Sequence, residues 1–471
     1  MHKAKTCAAA MVAALALGAC SLAPVHERPD APIPAVYPGA DAADHLDSTA
    51  AMPDWSAFIR EARLRTLVQG ALAYNRDLRQ ALLNVEAARA QYGIQRADQL
   101  PNVSAGASAN RQRTPEGLSS TGQSSVGSTY RAELGLAAFE VDLFGYTRNL
   151  SQAALQEFLA TEQAARSVRI SLIASVSEAY VRYTAAEARI ALTQKTLDAR
   201  QESLTLIRMR RDVGAASDLD VQEAVGLVET ATTELFRTQR ERAQAYNALQ
   251  LLVGKSGLNA TLVAASPDDV LFEDVQAGLP SDLLAQRPDI LAAERRIRAR
   301  QADIGAARAA FFPRITLTGA YGSASPELSD LFSGSARAWQ FMPQITLPIF
   351  TGGRTQAALD LAQVRRDASI LAYEQTIQTA FTEVADALAA RATLVAQMGS
   401  QERLIANSAQ TLRLAQMRYL SGVDSNLRYL DAQRQDFANR LAILETWSAL
   451  QDSRIALYRA LGGGAEERAT P

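Results

Sequence analysis

The sequence predicts a mainly α-helical chain that also carries membrane-length β-strands, arranged as a helix–β-hairpin–helix plan written twice. Three observations predict it. Marker residues recur at a nearly constant offset, which is the mark of an internal repeat. Each half contains two runs of period-two alternation, about 10 residues long. Each half then continues into proline-free helical sequence, Arg148–Val213 and Arg354–Ser421.

The repeat begins where Asn75-Arg76-Asp77-Leu78 matches Arg287-Pro288-Asp289-Ile290. Gly93 then aligns with Gly305, Arg96-Ala97 with Arg308-Ala309, and Leu100-Pro101 with Phe312-Pro313. Leu143-Phe144 and Arg148 match Ile349-Phe350 and Arg354, Gly214 matches Gly422, and Ala224 matches Ala432. Two unrelated helical segments would not hold register through proline, glycine and strand markers. The first repeat is placed at 54–264 and the second at 265–471, with long helices to about 254 and 462.

Each repeat opens on a helix, Arg76–Gln99 or Asp289–Phe312, that should stop at Pro101 or Pro313. Alternation follows. Val103, Ala105, Ala107 and Ala109 alternate with Ser104, Gly106, Ser108 and Asn110, and Tyr130, Ala132, Leu134 and Leu136 with Arg131, Glu133 and Gly135. The phase changes near Ala138-Phe139. Ile315, Leu317 and Tyr321 alternate with Thr316, Thr318 and Gly322, and the run from Trp339 to Ile349 continues the pattern. Strands are expected at about 102–112, 129–143, 314–323 and 338–350, the length that crosses a bilayer when tilted. Tyr130, Tyr321 and Trp339 stand at strand ends, where interfacial aromatic belts lie. The long Ser-, Gly- and Thr-rich connections Asn110–Ser128 and Ser323–Arg337 resemble extracellular barrel loops. A small soluble β-domain with one wet face is the alternative.

Leu172, Val176, Ala179, Tyr183, Ala186, Ile190, Thr193 and Leu197 keep the 4-3 spacing of a coiled-coil seam. Sixty-six residues at 1.5 Å each give a helix of about 100 Å. Reversals at Gly214 and Gly422 lead into return helices from about Ser217 to Leu252 and Ser425 to Leu461. Leu427, Leu430, Arg434, Phe437, Leu441 and Leu444 give the second return its own 3-4 pattern.

Four strands cannot close a barrel, and an open edge in lipid leaves backbone groups unpaired at several kcal/mol each. More copies are required. Two give eight strands with a filled interior; three give twelve and a lumen. Ser104, Gly106, Ser108, Thr316 and Thr318 suit a wet inner face.

The N-terminus indicates the compartment. Lys3 and Lys5 precede the short apolar run Ala8–Gly18, which is typical of a secretory signal over 1–19. The run ends in Leu17-Gly18-Ala19-Cys20, which resembles the lipobox of bacterial lipoproteins. In that family cleavage precedes the cysteine, which is then acylated. Ser21 is permissive for the outer membrane. Cys7 leaves with the signal, so Cys20 is the one cysteine of the mature chain. Residues 20–53, rich in Pro, Ala and Asp, read as an extended, lipid-anchored tether.

Composition excludes other classes. The net charge is −2 over the whole chain, and −4 after Lys3 and Lys5 are removed (−2 minus 2), too near neutral to suggest nucleic acid. His2, His26 and His45 all precede the body, which argues against a histidine metal site or triad. No phosphate-cradling glycine loop or nucleophile–base pair is present, and no cofactor is expected beyond the lipid on Cys20. Rival readings are a structural or adhesive coiled-coil lipoprotein, which leaves the strands unexplained, and a periplasmic enzyme.

Together with the lipobox and the duplicated plan, the block from Tyr419 through Leu420-Ser421-Gly422-Val423-Asp424 to Arg434 is similar to the outer-membrane efflux proteins of the TolC and OprM type. The resemblance covers nearly the whole mature chain. It implies a homotrimer with a 12-stranded transmembrane β-barrel continued by a periplasmic 12-helix α-barrel. It also implies docking to an RND-type inner-membrane pump through a periplasmic adaptor, and an exit duct for small molecules such as drugs. A duct for protein secretion is the alternative, in a branch that usually lacks the anchor.

The gate is expected at the reversals. Leu427, Asp431 and Arg434 share a stripe at i, i+4, i+7. Threefold symmetry would bring copies of Leu427 and Asp431 toward one axis, as an apolar ring and a cation-favouring carboxylate ring. The resemblance places Tyr419 and Arg434 in bonds that hold the helix pairs shut, with Asp218 or Asp220 as candidate partners. The alternative makes Leu427 and Arg434 ordinary coiled-coil positions, and Asp431–Arg434 a surface ion pair worth under about 1 kcal/mol.

Overall fold

The structure, a computed structural model, describes residues 22–38, 52–119, 122–255, 257–258, 269–278 and 280–464. The signal segment and Cys20 lie outside the described residues.

Helix α1 (Ala62–Tyr74) leads into α2 (Arg76–Ala97). Hairpin β1 (Val103–Thr114) and β2 (Ser125–Val141) follows, then α3 (Tyr146–Asp212) and the return α4 (Asp218–Val253). The second half repeats the order: α5 (Pro288–Ala309), β3 (Arg314–Ser325), β4 (Arg337–Thr346), α6 (Arg354–Leu420) and α7 (Asn426–Ala460). The helix α6 passes Gly399 without a break, so the interior glycine's cost of about 1 kcal/mol is absorbed by a 67-residue ladder. Among the described residues, no helix is long and apolar enough to cross a membrane.

All four strands form one antiparallel sheet in the order β1-β2-β3-β4. Its register sorts the faces. Val103, Leu136, Gly319 and Phe341 lie in one cross-strand row, and Ala105, Leu134, Tyr321 and Trp339 in the next. The opposite face carries Ser104, Gly135, Ala320 and Gln340, then Gly106, Glu133, Gly322 and Ala338. One face is therefore apolar and the other polar or small. The apolar face is uncovered in the single chain, with Trp339 77% exposed. Among the described residues, the edges β1 and β4 have no strand partner on their outer sides.

The phase change near Ala138 is a β-bulge between Leu136 and Phe139, with Ala138 at φ 44°. A bulge shifts the alternation by one residue, which keeps Phe139 and Val141 on the apolar face. Two strand limits differ from expectation. The strand β2 starts at Ser125, because Ser125–Thr129 pair with Asn110–Thr114 to lengthen the hairpin. The strand β4 stops at Thr346, which pairs with Arg314, the first residue of β3, so no ladder partner remains beyond it, and Ile349 and Phe350 stand fully exposed.

Two compact units cut across the repeats. One comprises Met1–Asp30, Asn84–Glu162 and Ala292–Tyr373, and holds the sheet with the helix segments next to it. In it, Leu22–Asp30 is not a loose tether. It is an extended segment bonded along α5: Arg28 donates to Glu294 at 2.5 Å, His26 Nδ1 lies 2.9 Å from Gln301 Oε1, and Arg308 donates to the Leu22 carbonyl at 3.0 Å. The polar composition that suggested a free linker here supplies specific partners.

The other unit comprises Ala31–Leu83, Gln163–Leu291 and Glu374–Pro471. Leu172, Val176, Ala179, Ala186, Thr193 and Leu197 of the expected seam are buried in it, while Tyr183 and Ile190 are half-buried. A second core forms around the end of α7. Phe58 stacks between Tyr458 (centroids 4.1 Å apart) and Phe272 (5.1 Å), and Ile59 bridges to Phe272. Burying a phenylalanine of this kind stabilises by about 1.5–3 kcal/mol.

Candidate functional site

The two helix reversals supply the candidate gate, and each is built by local rules. The α3–α4 reversal turns at Gly214, φ 74°, where a side chain would be strained. Ser217 and Asp220 then form a capping box at the start of α4. The Ser217 backbone N–H holds the Asp220 carboxyl below the usual range. The α6–α7 reversal turns at Gly422, φ 73°, and is tied by Arg418 donating to Asp424 at 2.7 Å.

Leu427, Asp431 and Arg434 lie on one exposed stripe of α7, with Leu427 49% exposed. They are not in the seam of the chain's own coil. The neighbouring Leu430 fills that role, buried with Leu204, Ile207, Val221, Ala224 and Leu227 of α3 and α4. Arg434 donates to Asp431 at 2.7 Å, one turn away. Both side chains are well exposed, so this pair stabilises little within the chain.

The bonds expected from Tyr419 and Arg434 to Asp218 or Asp220 are absent within the chain. Asp218 pairs with Arg211 at 3.3 Å, Asp220 is held by its cap, and Arg434 is taken by Asp431. The Tyr419 hydroxyl is buried without a hydrogen-bond partner. Asp218, Asp220 and Arg434 bond to groups three to seven residues away, which costs no long-range ordering.

Sequence reading missed two arginines that do join the repeats here. Arg210 lies over the Tyr419 ring at 4.6 Å and donates to the Tyr419 carbonyl at 3.4 Å, and Tyr419 stacks on Tyr429 at 5.6 Å. Arg200, 3% exposed, donates to the Leu227 carbonyl at 2.8 Å and lies 4.9 Å from the Phe437 ring centre. Burial, with Arg434's charge adding to it, pulls its guanidinium down to about 10. The repeat offered one signal, since Arg210 is the counterpart of Arg418. Nothing in the sequence marks Arg200. Among the described residues no cluster of His, Cys, Asp and Glu could hold a metal.

A duplicated hairpin-and-coil chain, with a two-faced sheet open at both edges and two glycine reversals, defines an outer-membrane channel subunit. The chain belongs to the outer membrane efflux protein family, whose model matches residues 67–255 and 279–463. It is 52% identical over 460 residues to the outer membrane protein OprJ of Pseudomonas aeruginosa, covering 97% of this chain and 96% of that one. It is 46% identical over 461 residues to the toluene efflux pump outer membrane protein TtgC of Pseudomonas putida, covering 97% and 95%. Among solved structures, the open-state Neisseria gonorrhoeae MtrE outer membrane channel matches at TM-score 0.86 and 37% identity, covering 94% of this chain and 98% of that one. A membrane protein of Pseudomonas aeruginosa matches at TM-score 0.90 and 51% identity, covering 94% and 98%. Membership of this family makes the chain an outer-membrane efflux channel subunit and not an enzyme.

Proposed function

We propose that three copies of this chain close their sheets into a 12-stranded barrel in the outer membrane, continued by a 12-helix α-barrel, and act as a passive exit duct. The carrying observation is the four-stranded sheet with one apolar face and two open edges. Lipid would contact the apolar face, and open edges there cost several kcal/mol for each unpaired group. Twelve strands remove the edges and leave a lumen lined by Ser104, Gly106, Glu133 and Gln340, whereas eight would be filled by side chains.

Acylation at Cys20 anchors the chain to the same membrane. An RND-type inner-membrane pump and a periplasmic adaptor deliver the cargo. Relatives at the same 46% identity are named for a toluene pump and for an antibiotic pump. That supports small molecules as cargo, chosen upstream of this subunit.

The test is crosslinking in the membrane between single cysteines placed on β1 and on β4. A ladder ending at three chains is expected. One that stops at two, or runs past three, rejects the trimer.

A further inference from the structure

The N-terminal segment runs along one face of α5 in strict order. The Leu22 carbonyl accepts from Arg308, His26 meets Gln301, and Arg28 meets Glu294 from Nε and Nη2 at 3.2 and 2.5 Å. Between them, a Cβ added at Gly305 would lie 2.7 Å from Asn149 Nδ2 and 2.9 Å from the Ala23 Cβ, so the glycine admits both the strap and Asn149. The two chains are antiparallel and their lengths agree. Six extended steps from Leu22 to Arg28 rise about 19 Å. Fourteen helical steps from Glu294 to Arg308 rise about 21 Å. Pro24 and Pro29 favour the extended form and remove N–H groups that would otherwise need partners.

The receptor face is built in the second repeat only. Glu294, Gln301 and Gly305 are buried, and Glu294 also accepts from Arg298 at 2.7 Å. Burial alone would raise the Glu294 carboxyl, but its bond to Arg28 and the nearby positive charges outweigh burial and hold it low. The counterparts on α2 are Leu82, Arg89, Gly93 and Arg96, all exposed, and a Cβ at Gly93 would meet nothing. The duplication has thus diverged where the strap lies: a leucine stands in one repeat where the other has the carboxylate that takes Arg28.

Direction is the consequence. The strap's upstream end is held by Arg308, in the last turn of α5, six residues before β3 begins at Arg314. Its other end is held a further 14 residues down the helix. Leu22, the strap residue nearest to Cys20 in sequence, therefore lies at the sheet end of α5.

We propose that residues 22–28 are a positioning strap, and that Glu294, Gln301, Gly305 and Arg308 are its receptor, directing the acylated terminus to the rim of the sheet. Lipid and apolar sheet face then enter the same bilayer from one place. This rests on the reading that Cys20 is acylated. Fixing an anchor at its site raises its effective concentration there, and a long flexible tether loses that gain.

The experiment uses the full chain in cells fed radiolabelled palmitate, reading acyl label and the fraction of chain recovered as heat-resistant oligomer from the outer membrane. One variant, Arg28→Ala with Arg308→Ala, removes the bonds at both ends of the strap and undocks it, while Glu294 keeps its bond to Arg298. The other inserts a flexible eight-residue Gly-Ser spacer between Ser21 and Leu22, leaving strap and receptor intact. Both should keep the parent's acyl label, and both should lose oligomer roughly tenfold. If the labelled spacer variant assembles like the parent, the strap is packing alone and the positioning role is overturned. The same holds if the undocked variant assembles normally. A parent without label instead removes the acylation reading, and the proposal with it.

Discussion

Leu427 is half exposed on α7 while Leu430, three residues on, is fully buried against the first repeat. The chain's own coil does not use Leu427, Asp431 or Arg434, which leaves the stripe free for neighbouring copies. In planar bilayers without a pump, Leu427→Ala should raise the conductance of the purified oligomer, and Asp431→Ala should weaken cation preference. Arg210 sits on the Tyr419 ring, a contact worth about 0.5–2 kcal/mol, whereas the Tyr419 hydroxyl bonds to nothing. Arg210→Ala should therefore raise conductance and Tyr419→Phe alone should not. A gate elsewhere would leave Leu427→Ala, Asp431→Ala and Arg210→Ala conducting like the parent, with the oligomer intact.

Asp452 on α7 also titrates in a useful range. Burial pushes its carboxyl up to about 6, with Glu178 adding to the effect and Arg182 opposing it, and its Oδ1 has no partner. The folded chain thus binds this proton more tightly than the unfolded one. Charging the group costs stability as pH rises from about 4 to about 6, and the full cost, at most about 3 kcal/mol, stands above that window. Asp452→Asn removes the charge. Thermal melting followed by circular dichroism should show a higher midpoint than the parent at pH 8 and no difference at pH 4. Equal midpoints at pH 8 would show that the carboxylate costs nothing there.

At the scale of elements, the β2–β3 pairing has no slack at one point. A Cβ at Gly322 would fall 2.1 Å from the Ala132 carbonyl oxygen and 2.6 Å from the Glu133 Cα. Those atoms are backbone and cannot move without parting the strands. Gly322→Ala should cost about 3 kcal/mol or more and sharply reduce heat-resistant oligomer on a gel. Gly127→Ala, with open space around it, should assemble like the parent. The same assay thus separates close strand approach from a general effect of losing a glycine.

Most elements were legible because their signals are local. Pro101 and Pro313 end helices, period two marks strands, and Gly214 and Gly422 mark reversals; the structure places helix and strand ends within a few residues of those markers. Even the bulge at Ala138 was written as a slip in alternation. The overrun of β4 to residue 350 came from following alternation past Thr346, where its partner strand β3 has already ended at Arg314. Gate partners were less legible. Tyr419 and Arg434 stood out in the sequence, but Arg434 bonds locally to Asp431, and the contact of Tyr419 depends on which arginine of a helix some 200 residues away is nearest.

For the whole molecule, the sequence by itself determined the duplicated plan, the strand number, the polar and apolar faces and the need for further copies. Each follows from period, spacing or the cost of unpaired backbone in lipid, none of which requires knowing what touches what. Only the tertiary structure decided that the compact units cut across the repeats, that Arg210 and Arg200 tie the first repeat to the second, and that residues 22–30 lie docked on α5. Those facts rest on side chains brought together from as far as 286 positions apart. Such contacts form only once the intervening chain has folded, so no local pattern encodes them.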